Sequence, residues 1–140
     1  MAEYGHLASF PDVEAGLRRL QGAGHTLAVL SNGSPRMIAA VVRAAGLEGL
    51  FQELISVDEV RAYKPAPRVY QHAAARLGRP IGEVRLISSN PFDVVGAEAA
   101  GMQVAWLDRS GGLFDTPRPA PALVVTALTE LAERLEQQPG

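Results

Sequence analysis

Three short stretches of this 140-residue sequence gather side chains capable of chemistry, the first and third directly after an apolar run. The first, Ser31-Asn32-Gly33-Ser34-Pro35, offers a hydroxyl, an amide and a glycine just before a helix start. Unsatisfied N–H groups and the positive end of the helix dipole suit such a turn to a carboxylate or phosphate. The second, Tyr63-Lys64-Pro65-Ala66-Pro67, carries one ammonium in a proline-restricted loop. That restriction aims Lys64 inward, where it can hold a carboxylate nucleophile or a substrate anion. Tyr70, six residues on, reaches the same region or simply packs. The third, Ser88-Ser89-Asn90-Pro91-Phe92-Asp93, again passes into a helix. Asp93 with Asn90 can orient a water or hold Lys64, provided the strand ends are neighbours. Each stretch also has a plainer reading: a capped turn, a solvated lysine, and an aspartate favoured by the helix dipole.

The elements that must position these residues follow from periodicity. Apolar runs of about five residues alternate with segments of helical period, the sequence form of βαβ units around a parallel sheet. Strands are expected at Thr26 to Leu30, Glu53 to Val57, Val84 to Ser88, Val104 to Leu107 and, more weakly, Leu123 to Val125. A first helix begins near Pro11, aligns Val13, Leu17 and Leu20, and stops at Gly24. A second has Ser34 as N-cap, Pro35 at its first position and Gly46 past its end. A third runs from Pro67 to Leu77 and stops at Gly78; a fourth has Asn90 as cap and stops at Gly101. The last spans Thr126 to Gln137, with Leu128, Leu131 and Leu135 aligned, and the Gly- and Pro-rich stretch Arg109 to Pro121 reads as a surface loop. An α/β domain of this kind normally opens with a strand, whereas the first clear element here is a helix.

Composition narrows the function classes. A net charge of −2, spread along the chain, gives no basic field for nucleic acid or anionic lipid. There are no cysteines, hence no disulfides, thiolate metal sites or cysteine nucleophiles. No apolar run reaches the roughly 18 residues that a membrane span requires, and a cytoplasmic location is the default expectation. His6, His25 and His72 are far apart and lack ligand spacing, so they read as surface or turn residues.

Taken in order, LSNGSP (Leu30 to Pro35), SVDEVRAYKPAPRVY (Ser56 to Tyr70) and SSNPFDVVGAEAAG (Ser88 to Gly101) resemble the L-2-haloacid dehalogenases of the haloacid dehalogenase superfamily. The likeness extends from about Phe10 to Leu135. It implies an α/β fold, a Rossmann-like parallel sheet flanked by helices, here as one partial core domain over residues 1–140, incomplete at its amino terminus and without a cap domain. It further implies hydrolysis of L-2-haloacids to D-2-hydroxyacids through an aspartyl ester, with no cofactor and no metal. Ser31 and Asn32 would bind the carboxylate of the small 2-haloacid. Lys64 would orient the nucleophile, Ser88, Asn90 and Asp93 would shape the hydrolytic site, and Tyr70 would lie close by.

In the family the nucleophilic aspartate lies in a DxxGT-like stretch on the first strand, and a helical cap adds a halide-binding arginine. No Asp-x-x-Gly-Thr occurs in this sequence, and Asp12, Asp58, Asp108 and Asp115 lack its context. Met1 falls about where the family's chain returns from the cap. The chain alone is therefore expected to be inactive, with an unfilled position between the strands at Thr26 to Leu30 and Val84 to Ser88, open to strand exchange or homo-oligomer formation. Two alternatives stand beside this reading. A phosphatase-like relative would present an acidic residue where Ser89 stands, and a noncatalytic interaction module would need none of these side chains.

Overall fold

Alternation of side chains along the strands divides the interior into two apolar layers. In the computed structural model, which describes residues 12–108, 114–116 and 119–137, five strands and five α-helices follow one another in the expected order. The strands are β1 (Ala28–Ser31), β2 (Glu53–Ser56), β3 (Arg85–Ser88), β4 (Gln103–Leu107) and β5 (Val124–Val125). The helices are α1 (Asp12–Gly22), α2 (Pro35–Ala44), α3 (Pro67–Leu77), α4 (Pro91–Ala99) and α5 (Leu128–Glu136). Val29, Ala105, Leu107 and Val125 point into one layer with α1, α2 and α5. Leu30, Ile55, Leu86, Val104 and Trp106 point into the other, with α3 and α4. This is the period of two that a sheet covered on both faces requires.

Helix ends follow from local chemistry. Ser34 Oγ caps α2 by accepting from the Met37 N–H, and Asn90 Oδ1 caps α4 by accepting from the Phe92 N–H. Pro35, Pro67 and Pro91 each occupy a first turn, where the missing N–H costs nothing. Gly78 closes α3 in the left-handed region, at φ 67°. The helix α1 packs closely on α5: a Cβ at Gly16 would meet Leu128 Cβ at 2.5 Å.

Among the described residues all strand pairs are parallel, and the strands fall into two sets. β1 pairs with β2, while β3, β4 and β5 form a separate set in that order. β1 and β3, the strands expected to flank an unfilled position, are not paired with each other. Two short 3-10 helices, Val57–Val60 and Ile81–Glu83, were not expected and serve as strand exits and entries. Strand and helix limits otherwise shift by one to three residues, as fraying ends do. Most of the expected loop Arg109 to Pro121 lies outside the described residues, as does His6. No helix among the described residues is long and apolar enough to cross a membrane.

Candidate active site at the strand carboxyl ends

β1, β2 and β3 each end in a serine, and all three are buried: Ser31, Ser56 and Ser88. A short hydroxyl there can bond to the turn that follows, which fixes the path of the chain as it leaves the sheet. Ser31 Oγ accepts from the Gly33 N–H at 2.9 Å, and Ser88 Oγ accepts from the Asn90 N–H at 3.0 Å. Ser56 does more. Its hydroxyl donates to the Gly33 carbonyl at 2.7 Å and accepts from the Asp58 N–H at 3.1 Å, tying the β2 exit to the β1 turn. Ser56 was not singled out as a site residue, although the recurrence of serine at successive strand ends was visible in the sequence.

The loop after β2 crosses to both neighbouring strand ends. The Lys64 N–H donates to Asn32 Oδ1 at 3.1 Å, so the β1 turn holds this loop by its backbone. The Lys64 ammonium donates to Asp93 Oδ2 at 3.0 Å, which reaches across to the first turn of α4. The other carboxylate oxygen, Asp93 Oδ1, accepts from Tyr70 Oη at 2.6 Å, and the same hydroxyl lies 3.2 Å from the Asp93 carbonyl. Asp93 and Lys64 are only 2% and 10% exposed, so this is an ion pair largely withdrawn from water. Burial, with the Asp93 carboxylate beside it, pushes the Tyr70 phenol well above its ordinary value and keeps it a proton donor.

Close packing brings these groups together. A Cβ on Gly96 would meet Pro65 Cβ at 2.5 Å, the Pro65 carbonyl at 3.0 Å and Tyr70 Oη at 3.1 Å. Only a glycine lets α4 lie this near the lysine loop. Gly96 was also overlooked in the sequence, where it reads as a helix-interior glycine with no stated purpose.

Of the residues singled out beforehand, Lys64, Tyr70 and Asp93 form one hydrogen-bonded cluster, and Asn32 joins it through the Lys64 backbone. Ser31, Ser88 and Asn90 lie at the adjoining strand exits and bond to backbone amides. Ser89, beside them, has its carbonyl accepting from Trp106 Nε1 at 3.1 Å. Among the described residues, no group of three or more His, Asp or Glu side chains is placed to hold a metal ion. The arrangement presents one fixed cation, one amide and two helix N-termini where the strand order breaks, the crevice in which open α/β sheets bind their ligands.

Residues 1–101 match the family of haloacid dehalogenase-like hydrolases. The chain is 42% identical over 137 residues to an (S)-2-haloacid dehalogenase of Pseudomonas sp. (strain YL), covering 98% of this chain and 59% of that enzyme. It is 44% identical over 126 residues to haloacetate dehalogenase H-2 of Moraxella sp. (strain B), covering 90% of this chain and 56% of that one. Among solved structures it superimposes on the L-2-haloacid dehalogenase of Xanthobacter autotrophicus with covalently bound chloropropionic acid, at a TM-score of 0.84 and 35% identity, over 93% of this chain and 62% of that one. The chain thus spans between half and two thirds of the length of these relatives, and within that span sequence and fold agree. It belongs to the haloacid dehalogenase-like hydrolases, alongside the 2-haloacid dehalogenases.

Proposed function

We propose that this chain carries the carboxylate-binding and lysine-bearing part of a 2-haloacid dehalogenase site, for the hydrolysis of L-2-haloacids to D-2-hydroxyacids. In that reaction an aspartate oxygen attacks the α-carbon, the carbon–halogen bond breaks with inversion and the halide leaves with its electron pair. Water then adds to the aspartyl ester, the ester bond breaks, and the hydroxyacid departs from a regenerated aspartate. The single observation that carries this reading is the buried Lys64–Asp93 pair, hung between the exits of β1 and β3. With both oxygens engaged, Asp93 serves to hold Lys64 rather than to act as a free base. Lys64 in turn orients the nucleophile, Ser31 and Asn32 receive the substrate carboxylate, and Ser88 and Asn90 shape the space for water.

No Asp-x-x-Gly-Thr stretch occurs in the 140 residues, and no turnover is expected from this chain alone. The test is halide release from L-2-chloropropionate by the purified chain, with and without the portion of the Pseudomonas sp. (strain YL) enzyme that lies outside the aligned region. Release only in the mixture, and its loss with Lys64→Ala, is the expected result. Turnover by the chain alone at constant specific activity through a second column would overturn it.

A further inference from the structure

β4 is paired on both sides, and Trp106 near its carboxyl end stands level with Ser88 of β3 and Val124 of β5. It is the one tryptophan of the sequence and is 7% exposed. A buried indole N–H needs an acceptor. This one reaches past its own register to the carbonyl of Ser89, the first residue beyond the end of β3, at 3.1 Å. The indole ring meets Phe114 edge to face, with centroids 5.0 Å apart and planes at 74°. That is a favoured aromatic geometry, and it braces the ring in one orientation.

The turn that this bond holds is Ser88-Ser89-Asn90. Two of its other hydrogen bonds are local: the Asn90 N–H donates to Ser88 Oγ, and the Phe92 N–H donates to Asn90 Oδ1, both at 3.0 Å. Such bonds set the shape of the turn but not its bearing against the sheet. The Trp106 bond comes from a different strand, one fixed by partners on both sides, and supplies that bearing. With Oδ1 taken by the Phe92 N–H, Asn90 has its amide N–H groups left to offer a ligand, and their aim follows the turn.

We propose that Trp106 is a positioning residue for ester hydrolysis: its N–H holds the Ser89 carbonyl, the turn so held aims Asn90 at the hydrolytic water, and Phe114 keeps the indole in place. The role rests on the reading of Asn90 as part of the hydrolytic site. It also singles out a step. Halide leaves as the aspartyl ester forms, and that step draws on Ser31, Asn32 and Lys64 at the β1 and β2 exits. Water enters afterwards: its oxygen bonds to the ester carbonyl carbon and the acyl–oxygen bond breaks, one water proton going to the departing hydroxyacid and the other to solvent. Loss of the indole N–H therefore slows the second step. kcat falls, while kcat/KM, which reports events through halide departure, stays as it was.

Because the chain has a single tryptophan, growth of a tryptophan auxotroph on the benzothiophene analogue puts sulfur in place of this one N–H and alters no other position. Amide hydrogen exchange on the full chain reads the turn directly. Asn90 and Phe92 should exchange about tenfold faster, the size of one neutral hydrogen bond, with Leu86 and Ala105 at the parent rates. Phe114→Leu should speed exchange of the indole N–H itself. In the mixture with the Pseudomonas sp. (strain YL) portion, the first-turnover burst of halide should be unchanged and the steady rate about tenfold lower, with ester accumulating on the partner by mass spectrometry. Faster exchange throughout β3 and β4 alike, or none at Asn90 and Phe92, would reduce Trp106 to core packing and overturn the proposal. A fall in kcat/KM with kcat unchanged would place its effect on substrate capture and overturn it as well. If the unsubstituted mixture releases no halide, the catalytic reading fails and the role in ester hydrolysis falls with it, while the exchange rates still decide whether Trp106 fixes the turn.

Discussion

Replacing Lys64 by methionine removes a buried cation and keeps the length and apolar stem of the side chain. It leaves the Asp93 carboxylate, 2% exposed, with Tyr70 as its remaining side-chain partner. Breaking a buried pair from one side costs about 3 to 5 kcal/mol, because the surviving charge has neither water nor counterion. Tyr70 offsets part of that, which puts Lys64→Met near 3 kcal/mol on this scale. Asp93→Asn strands the ammonium instead. Lys64 is 10% exposed and its flexible stem can turn the ammonium toward water, so about 2 kcal/mol is expected. The amide oxygen that replaces Oδ1 still accepts from Tyr70. With both changes made, no charge is left buried and the loss should be only about 1 to 2 kcal/mol, within the range of ordinary point changes.

The two single losses sum to about 5 kcal/mol, so a coupling of about 3 kcal/mol is expected, at the upper end for residues in contact. Urea unfolding of the parent, both single variants and the double variant at pH 7 measures it, provided the four share one m-value. If the two losses add to within about 0.5 kcal/mol, Lys64 and Asp93 act independently and the pair does not hold the loop.

Gly96→Ala should cost about 1 to 3 kcal/mol by overpacking, read by thermal unfolding, and should also weaken binding of a carboxylate probe such as propionate because Pro65 and Lys64 must move. Glu59 is held below the ordinary glutamate value of 4.5, chiefly by the Arg76 hydrogen bond, so its contribution is present above that pH and is lost as the pH falls through the lowered value. Glu59→Gln should therefore flatten the loss of stability below about pH 4.5, by under about 1 kcal/mol for so exposed a pair, in a pH series of urea midpoints. Magnesium should leave the melting temperature unchanged, since Ser89 stands where a metal-dependent phosphatase presents a carboxylate; saturable stabilisation at micromolar Mg²⁺, abolished by Asp93→Asn, would favour the phosphatase reading.

The parts of this fold legible in the sequence are those governed by local chemistry. The Ser34-Pro35 and Asn90-Pro91 starts are cap and first-turn signals that act within three residues, and both helices begin there. The run from Pro67 to Leu77, closed by Gly78, needed only a proline and a residue free to take positive φ. The order of strands and helices followed from the switch between periods of two and 3.6. The 3-10 turn Val57–Val60 was missed because its three-residue repeat is too short to show a period.

What escaped sequence reasoning depends on contacts between distant segments. Nothing near Ser56 in the chain says that its hydroxyl will meet the Gly33 carbonyl, 23 residues away. Gly96 costs α4 helix propensity, and the compensation appears only once Pro65 is seen against it. Arg85 is the sharpest case. In a strand pattern it reads as an outward polar residue between Val84 and Leu86, yet it sits at the inner edge of a divided sheet with Nε unpaired. A buried N–H without an acceptor is a cost that local sequence gives no reason to accept, even though the same guanidinium bonds Gln103 through Nη2.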